Sequence, residues 1–336
     1  MADITLRNFE PADKAAVMEL WNAHLERDHP LTLRLLEQAL EVKIPEGWFI
    51  VAVDAHELVG FIWAKPSGWW ANTTVKAHLC GLAVAPAQCR QGIGRLLWDT
   101  LIARLQAEGI GQLRMAAAPK HLLAGIPQAA SQDTWRFLQA RGVSWGGLEH
   151  DLLVDLRHLP DTKLAEGYHL VPVTRDQPQA DHLLAFMARE FPGRWQAEVS
   201  ERLERGLTVL ALVSHHQSQP TLIGFACVFL ADDASQYGYL GPSLHWRMSL
   251  PSDKATTTAG LGPIGIATSY RGQGLGLSFL TACLNYLRQQ GATDAIIDWT
   301  DLVTFYARVG ARVWRSYQSA ELSLVKGAEG KTATRG

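Results

Sequence analysis

Residues 262–286 carry a pattern suited to holding an anion. An apolar stretch ends near Ala267. The turn Ser269-Tyr270-Arg271-Gly272-Gln273-Gly274-Leu275-Gly276 follows, and Leu277, Leu280, Leu284 and Leu287 then trace a helical stripe. Glycines at a strand-to-helix junction let the backbone turn sharply and approach a ligand closely. The first N–H groups of the helix are unpaired, and the helix dipole adds roughly half a positive charge at that end. A phosphate suits such a cradle, and Arg271 offers it a side-chain contact. Earlier in the chain, Leu82-Ala83-Val84-Ala85-Pro86 precedes Cys89-Arg90-Gln91-Gly92-Ile93-Gly94, so that Gln91-Gly92-x-Gly94 repeats as Gln273-Gly274-x-Gly276. A Walker A loop ends in Gly-Lys-Ser/Thr, which neither copy has. A dinucleotide fingerprint follows the first strand of its domain, whereas this turn follows about the fourth. A plain tight turn remains open for either copy alone, and less so for two copies in the same context.

The elements around the turns repeat as well. Ile4 to Arg7 alternates like a strand, and Val17, Leu20 and Trp21 give Ala12–Leu25 helical spacing. Phe49–Val53 and Leu58–Ala64 read as strands joined by a turn at Asp54–Glu57. Tyr168–Val173, Ala180–Phe191, Thr208–Val213 and Leu222–Leu230 follow the same order in the second half. Each half reads strand, helices, antiparallel strands, Gly-rich turn, helix, strand, helix, which predicts a mixed α/β (α+β) domain. The repeat unit is therefore a whole domain. We expect domains at 1–158 and 166–326, joined near Pro160 and Gly167, with a disordered polar tail at 327–336. A Gly/Ser/Thr-bearing segment, Tyr237–Gly262, is peculiar to the second half and long enough to be functional.

Composition narrows the classes. The chain has 336 residues, 47% hydrophobic and 19% charged, enough apolar material for two cores. With 31 Lys and Arg against 33 Asp and Glu, the formal charge is −2, so no global field recruits nucleic acid or an anionic membrane. The start lacks a signal-peptide pattern, and no apolar run reaches the ~20 residues of a membrane span. Cys80, Cys89, Cys227 and Cys283 show no metal-ligand spacing and suit a reducing compartment. The histidines show no ligand spacing either. The expectation is a cytoplasmic protein without a metal, a monomer or a homodimer.

Arg271-x-x-Gly274-x-Gly276, after Ile264-Gly265-Ile266 and before an apolar helix, resembles the acetyl-CoA signature of the GNAT (GCN5-related N-acetyltransferase) superfamily. Ala295-Ile296-Ile297 followed by Phe305-Tyr306-Ala307-Arg308-Val309-Gly310-Ala311 resembles the Phe-Tyr-x-x-x-Gly-Phe stretch that closes the GNAT fold. The resemblance covers nearly the whole chain as two tandem GNAT-like domains. Each is expected to be a mixed, mostly antiparallel sheet with a splayed parallel strand pair flanked by helices.

The resemblance implies an acyltransferase that uses acetyl-CoA as cosubstrate. It implies a pyrophosphate site at Arg271, Gly272, Gln273, Gly274, Leu275 and Gly276, with the pantetheine arm beside Ile264, Gly265 and Ile266. A backbone N–H on that strand would receive the oxyanion, where a bulge splays the strands. Tyr306 would protonate or stabilise the departing thiolate, or else merely pack its ring. Asp298, just past the next strand, would act as base or hold the acceptor, or else serve as a helix cap or solvated carboxylate, as would Asp301. Glu190 is a weaker acceptor-side candidate. In the first copy the corresponding positions are Leu82, Val84, Gln91, Gly92 and Gly94, but Cys89 stands at the Arg position and Leu138 opposite Tyr306. That copy is expected to be structural or to bind CoA only. Twelve tryptophans include Trp195, Trp246 and Trp299, expected on loops or strand ends, for stacking on sugars or for core packing.

The acceptor is a small-molecule primary amine in this reading. The stretch from Gly241 through Trp246-Arg247 to Gly265, with Ile297-Asp298-Trp299, resembles tandem GNAT proteins of bacterial amino-sugar metabolism, which implies glucosamine or a glucosaminide. Mycothiol synthases are also tandem GNAT proteins with an active C-terminal copy. Another small amine or a protein amine stays open, as does a non-catalytic CoA-binding sensor or scaffold.

Overall fold

The computed structural model describes residues 4–25, 27–67, 76–118, 120, 122–216, 218–230, 246–247 and 257–325. Most of the expected 237–262 segment and the tail from 327 lie outside the described residues. Two compact units are present. The first gathers the described residues up to Gly147 together with Gln318 onward, and the second runs from Leu148 to Tyr317. Eight α-helices are described, and none is long and apolar enough to cross a membrane.

In the first unit, β1 (Thr5–Asn8), α1 (Lys14–Leu25) and α2 (Leu33–Leu40) precede β2 (Phe49–Asp54), β3 (Glu57–Pro66) and β4 (Lys76–Val84). Then come α3 (Ile93–Ala107), β5 (Gln112–Met115), β6 (Ile126–Pro127), α4 (Gln132–Gln139) and the start of β7 (Ser144–Asp155). The sheet order is β1-β2-β3-β4-β5, antiparallel except for the parallel β4/β5 pair. The β2/β3 hairpin turns at Ala55 and His56, both at positive φ (46° and 81°), as a two-residue turn between right-twisted strands demands. β2 reads Phe-Ile-Val-Ala-Val without alternation, and its first four residues are buried whichever face they point to. Leu97, Leu101 and Leu105 of α3 are fully buried against Ala52, Ile62 and Ala64.

The second unit repeats this plan. β8 (Tyr168–Val173), α5 (Gln179–Glu190), α6 (Arg194–Glu204), β9 (Val209–Ser214), β10 (Thr221–Phe229) and β11 (Thr258–Ile266) lead to α7 (Leu275–Gln289), β12 (Asp294–Thr300) and α8 (Val303–Ala307). β8-β9-β10-β11 is antiparallel, and β11/β12 is parallel. Phe279, Leu280, Cys283, Leu284 and Leu287 of α7 fill the core on one side of the sheet; Leu183, Phe186, Met187 and Leu203 of α5 and α6 fill it on the other.

The strand that closes each sheet comes from the far side of the sequence repeat. β12 is flanked by Leu152–Asp155 of β7, which belong by sequence to the first copy. β5 is flanked by Glu321–Ser323 of β13 (Arg312–Ser323), from the end of the chain. These segments also bury core side chains: Leu152, Val154 and Leu156 in the second unit, Ala320 and Leu324 in the first. Chain continuity thus puts a boundary near 158–166, whereas the compact units are discontinuous. A fragment 1–158 lacks the β13 segment of its sheet, and a fragment 166–326 lacks its β7 segment. Each fragment, expressed alone, is expected to lose the cooperative thermal transition of the full chain, followed by circular dichroism.

Candidate active site

The second unit opens where β11 and β12 part. Their parallel pairing is limited to Thr258↔Asp294, Ala259↔Ala295 and Gly260↔Ile296. Beyond it β11 stays with β10 and β12 stays with β7. A bulge on β11 marks the parting: Gly262 and Pro263 lie opposite the single Cys227, between Leu261↔Val228 and Ile264↔Ala226. Gly262 has φ 147°, and proline has no N–H to leave unpaired. The Ala267 N–H donates to Ile223 C=O, so alternation turns the amides of Gly265 and Ala267 to β10 and those of Ile264 and Ile266 into the opening.

The Gly-rich turn lies at the end of this strand. Gly272 and Gly274 have φ 76° and 80°, and Gly274 is the N-cap of α7 without any side-chain cap. A Cβ at Gly274 would meet nothing within 4 Å, so the glycine serves backbone conformation and open access to the helix amides. Arg271 Nε donates to Ile266 C=O at 3.0 Å, which ties the turn to the strand. Gln273 donates to Ser269 C=O at 3.1 Å.

The first unit reproduces these details with different chemistry. Gln91 donates to Ala87 C=O at 3.1 Å, Gly92 caps α3 at φ 90°, and Cys89 Sγ reaches Val84 C=O at 3.7 Å where Arg271 reaches Ile266. The same carbonyl also contacts His24 Nε2 at 2.8 Å. A cavity of about 770 Å³ runs along this turn and strand, lined by Cys80, Leu82, Val84, Gly92, Gly94 and Phe137 among others. Phe137 approaches Gly94 as Phe305 approaches Gly276, which sets Leu138 at the place of Tyr306. Matching Lys76↔Gln112 with Thr258↔Asp294 sets Ala116 at the place of Asp298. The first unit therefore has neither the phenol nor the carboxylate.

In the second unit a second bulge, on β12, sets Asp298 and Trp299 against Asp151 of β7, between Ile297↔Leu152 and Thr300↔His150. Trp299 takes φ 49°. Asp298 Oδ1 lies 3.7 Å from where a Cβ of Gly262 would be, so its carboxyl reaches across the opening to the β11 bulge. Asp151 is buried and accepts from Tyr317 Oη at 2.8 Å and from the Trp299 N–H at 3.2 Å. From α6, Arg194 lies 3.9 Å over the Trp299 ring and donates to Glu198 at 2.6 Å. Burial, reinforced by the charge of Asp151 and to a lesser degree Glu198, pushes the Asp298 carboxyl up to about 7, with Arg194 opposing.

Tyr306, on α8, is buried, and its hydroxyl has no hydrogen-bond partner among the described residues. Burial and the Asp298 charge push its phenol up to about 12, which keeps it protonated and able to donate. The other expected residues divide. Glu190 pairs with its neighbour Arg189 at 2.9 Å, and Asp301 is exposed. Trp246 is buried under Arg315, so it packs rather than stacks on a ligand. Trp195 is 37% exposed and packs on Phe191 and Phe225. Sequence reasoning missed Asp151, Tyr317, Arg194 and Glu198. The one available signal was a carboxylate, Asp151, directly before the apolar run Leu152-Leu153-Val154.

The model of the Acetyltransferase (GNAT) family matches residues 14–123 and again 180–311. The chain belongs to the GNAT family. Solved structures agree with the tandem fold. The glucosamine N-acetyltransferase region of a fungal multi-domain GH3 β-N-acetylglucosaminidase is similar at TM-score 0.78 and 22% identity, over 96% of this chain. The chain spans 38% of that enzyme's length. A GCN5-related N-acetyltransferase from Sphaerobacter thermophilus gives TM-score 0.66 and 15% identity, with 96% of each chain covered. A tandem GNAT protein from the clavulanic acid biosynthesis pathway gives 0.64 and 17%, covering 96% of this chain and 99% of that one. No curated protein sequence matches the chain.

The raised Asp298 carboxyl has a consequence for stability. Its folded value lies above the ordinary carboxylate value, so the folded state loses stability as pH rises from about 4 to about 7, where only the unfolded chain ionises freely. Asp298→Asn is expected to raise thermal stability at pH 8, by on the order of 1–2 kcal/mol once partial solvent screening is allowed for, and to change it little at pH 4. Thermal melts at the two pH values check this.

Proposed function

We propose that the second unit moves an acetyl group from acetyl-CoA to a primary amine by direct attack, and that the acceptor is an amino sugar, glucosamine or a glucosaminide. The observation that supports the reading is the Asp298 carboxyl reaching the β11 bulge, with the buried Tyr306 phenol within range of its charge. The free amides of the α7 terminus and the turn at Gly272–Gly274 suit a pyrophosphate, with Arg271 beside it. The inward amides of Ile264 and Ile266 suit amide hydrogen bonds to an extended pantetheine arm, and one of them suits the oxyanion.

In this mechanism Asp298 takes a proton from the incoming ammonium. The amine nitrogen then bonds to the thioester carbonyl carbon, and a strand N–H bears the oxyanion charge. As the carbon–sulfur bond breaks, Tyr306 gives its proton to the leaving sulfur; the attacking nitrogen sheds its remaining extra proton to solvent, and solvent reprotonates Tyr306. A base near neutrality suits this role better than an ordinary carboxylate, because its proton affinity approaches that of the group it deprotonates. The amino-sugar acceptor is supported by the acidic character of the site around Asp298, and by the fungal region whose description names glucosamine. In the first unit Ala116 and Leu138 stand at the positions of base and acid, which supports a structural or CoA-holding role there.

Thiol release from acetyl-CoA across a panel of amines, amino sugars included, tests the reading. Turnover on an amino sugar is expected, and Tyr306→Phe should cut kcat by about 10²-fold or more with little change in acetyl-CoA affinity. Acetyl-CoA bound tightly without turnover on any amine would overturn it in favour of a binding protein. Gly274→Glu places a carboxylate at the anion cradle and should abolish transfer, while Gly92→Glu should leave it. The opposite pattern would move the active site to the first unit.

A further inference from the structure

We infer that Asp151 is a positioning residue for the acceptor side of this site: it lies opposite Asp298 across the β12 bulge, holds the backbone that aims Asp298 into the opening, and sets a second carboxylate next to it. The inference rests on the proposed transfer reaction for its kinetic consequence, but not for the pairing itself.

A regular β12 would set one residue opposite Asp151, but the ladder sets two, Asp298 and Trp299. The extra residue needs a left-handed Trp299, a conformation that is strained for a non-glycine side chain. Asp151 Oδ1 accepts the Trp299 N–H and so anchors the bent backbone. Its other oxygen accepts the Tyr317 hydroxyl. Two donors to a buried carboxylate favour its charged form. Burial and the Asp151 charge in turn push the Tyr317 phenol well above its ordinary value, so Tyr317 stays a donor at any physiological pH.

The groups facing Asp298 come from several elements. Asp151 lies on β7, Arg194 and Glu198 on α6, and Tyr306 on α8, while Tyr317 and Arg315 of β13 stand behind Asp151. Arg194 is the cation that opposes the shift, and it is shared with Glu198 and the Trp299 ring. Asp151 is the largest charge contribution raising Asp298, second only to burial. The register of the first unit places Ser319 where the second has Asp151, alongside Ala116 where it has Asp298. The carboxyl pair is thus present in one unit and wholly replaced in the other, as expected for two groups that act together. The second carboxyl also comes from the strand that ends the first sequence repeat, so the reacting copy is incomplete without it.

The test is the pH dependence of kcat/KM for the amine. The wild-type chain is expected to show an acid limb with an apparent pKa near 7 from Asp298. Asp151→Asn keeps an acceptor oxygen for the Trp299 N–H and turns an amide N–H to the Tyr317 hydroxyl, which then accepts; the substitution removes the charge, and should move that limb downward by about one unit or more, toward ordinary carboxylates. An unmoved limb in a folded Asp151→Asn protein overturns the inference, because a merely structural role would lower the rate without shifting the limb. Carbon-13 carboxyl NMR of the wild-type chain, with aspartate labelled and Asp298 assigned by its loss in Asp298→Asn, covers a variant that fails to fold. A titration of Asp298 near neutral pH in two coupled steps supports the pair, and a single step in the ordinary carboxylate range overturns it. Because the NMR titration needs no turnover, failure of the pairing and failure of the transferase reading remain distinguishable.

Discussion

The parting of β11 and β12 after three paired residues is the constraint on which the rest of the second unit depends. Adjacent strands normally satisfy each other's amides along their length, and an opening between them exposes polar backbone that must find other partners. Two bulges make the opening. Gly262–Pro263 turns β11 toward β10, and Asp298–Trp299 turns β12 toward β7. Each strand keeps its outer neighbour, so the sheet remains intact while two inward amides and a carboxyl face the gap. The helix amides of α7 lie at the end of the same strand, joined to it by Arg271 and the Ile266 carbonyl. A ligand with an anionic end and an extended amide-bearing arm matches that sequence of donors.

Acid–base character follows from the same opening. Asp298 reaches the β11 bulge from a partly buried position, where protein takes the place of part of its water. Burial alone raises a carboxyl, and a second fixed negative charge raises it further. The same low polarity keeps Tyr306 protonated. Asp298 thus exchanges its proton near neutrality, while Tyr306 keeps its own there. The first unit retains the opening, the turn and a cavity, yet presents Ala116 and Leu138 there, so its geometry survives without that pair.

The comparison of the two units shows which features the fold requires and which it only permits. The left-handed glycines Gly92 and Gly274, the Gln side chains bonded back to the turn, and the Phe packed on Gly94 or Gly276 occur in both. They answer to backbone geometry common to both units. The carboxyls and the phenol occur in one. Ionisable groups held away from water are costly to keep, and the first unit has Ala116, Ser319 and Leu138 at those positions instead.

Much of this was legible in the sequence. The tandem order of strands and helices, the Gly-rich turns and the Phe305-Tyr306 stretch are local patterns, set by periodicity and by residues with few conformational alternatives. Asp298 was legible because it ends an apolar strand beside a motif of fixed spacing. Asp151 was not, since Trp299 and Asp151 lie 148 positions apart and meet only through antiparallel pairing of β7 with β12. Nothing in a local window shows that β7 leaves the first copy to close the second sheet, or that β13 returns to close the first. The buried packing of Trp246 and the placement of Arg194 and Glu198 beside Trp299 were hidden for the same reason. Local sequence determines the elements and their turns, because those depend on backbone conformation. Tertiary structure decides which carboxyls share a site and how strongly they are charged, because those depend on distance and burial between segments that the chain keeps apart.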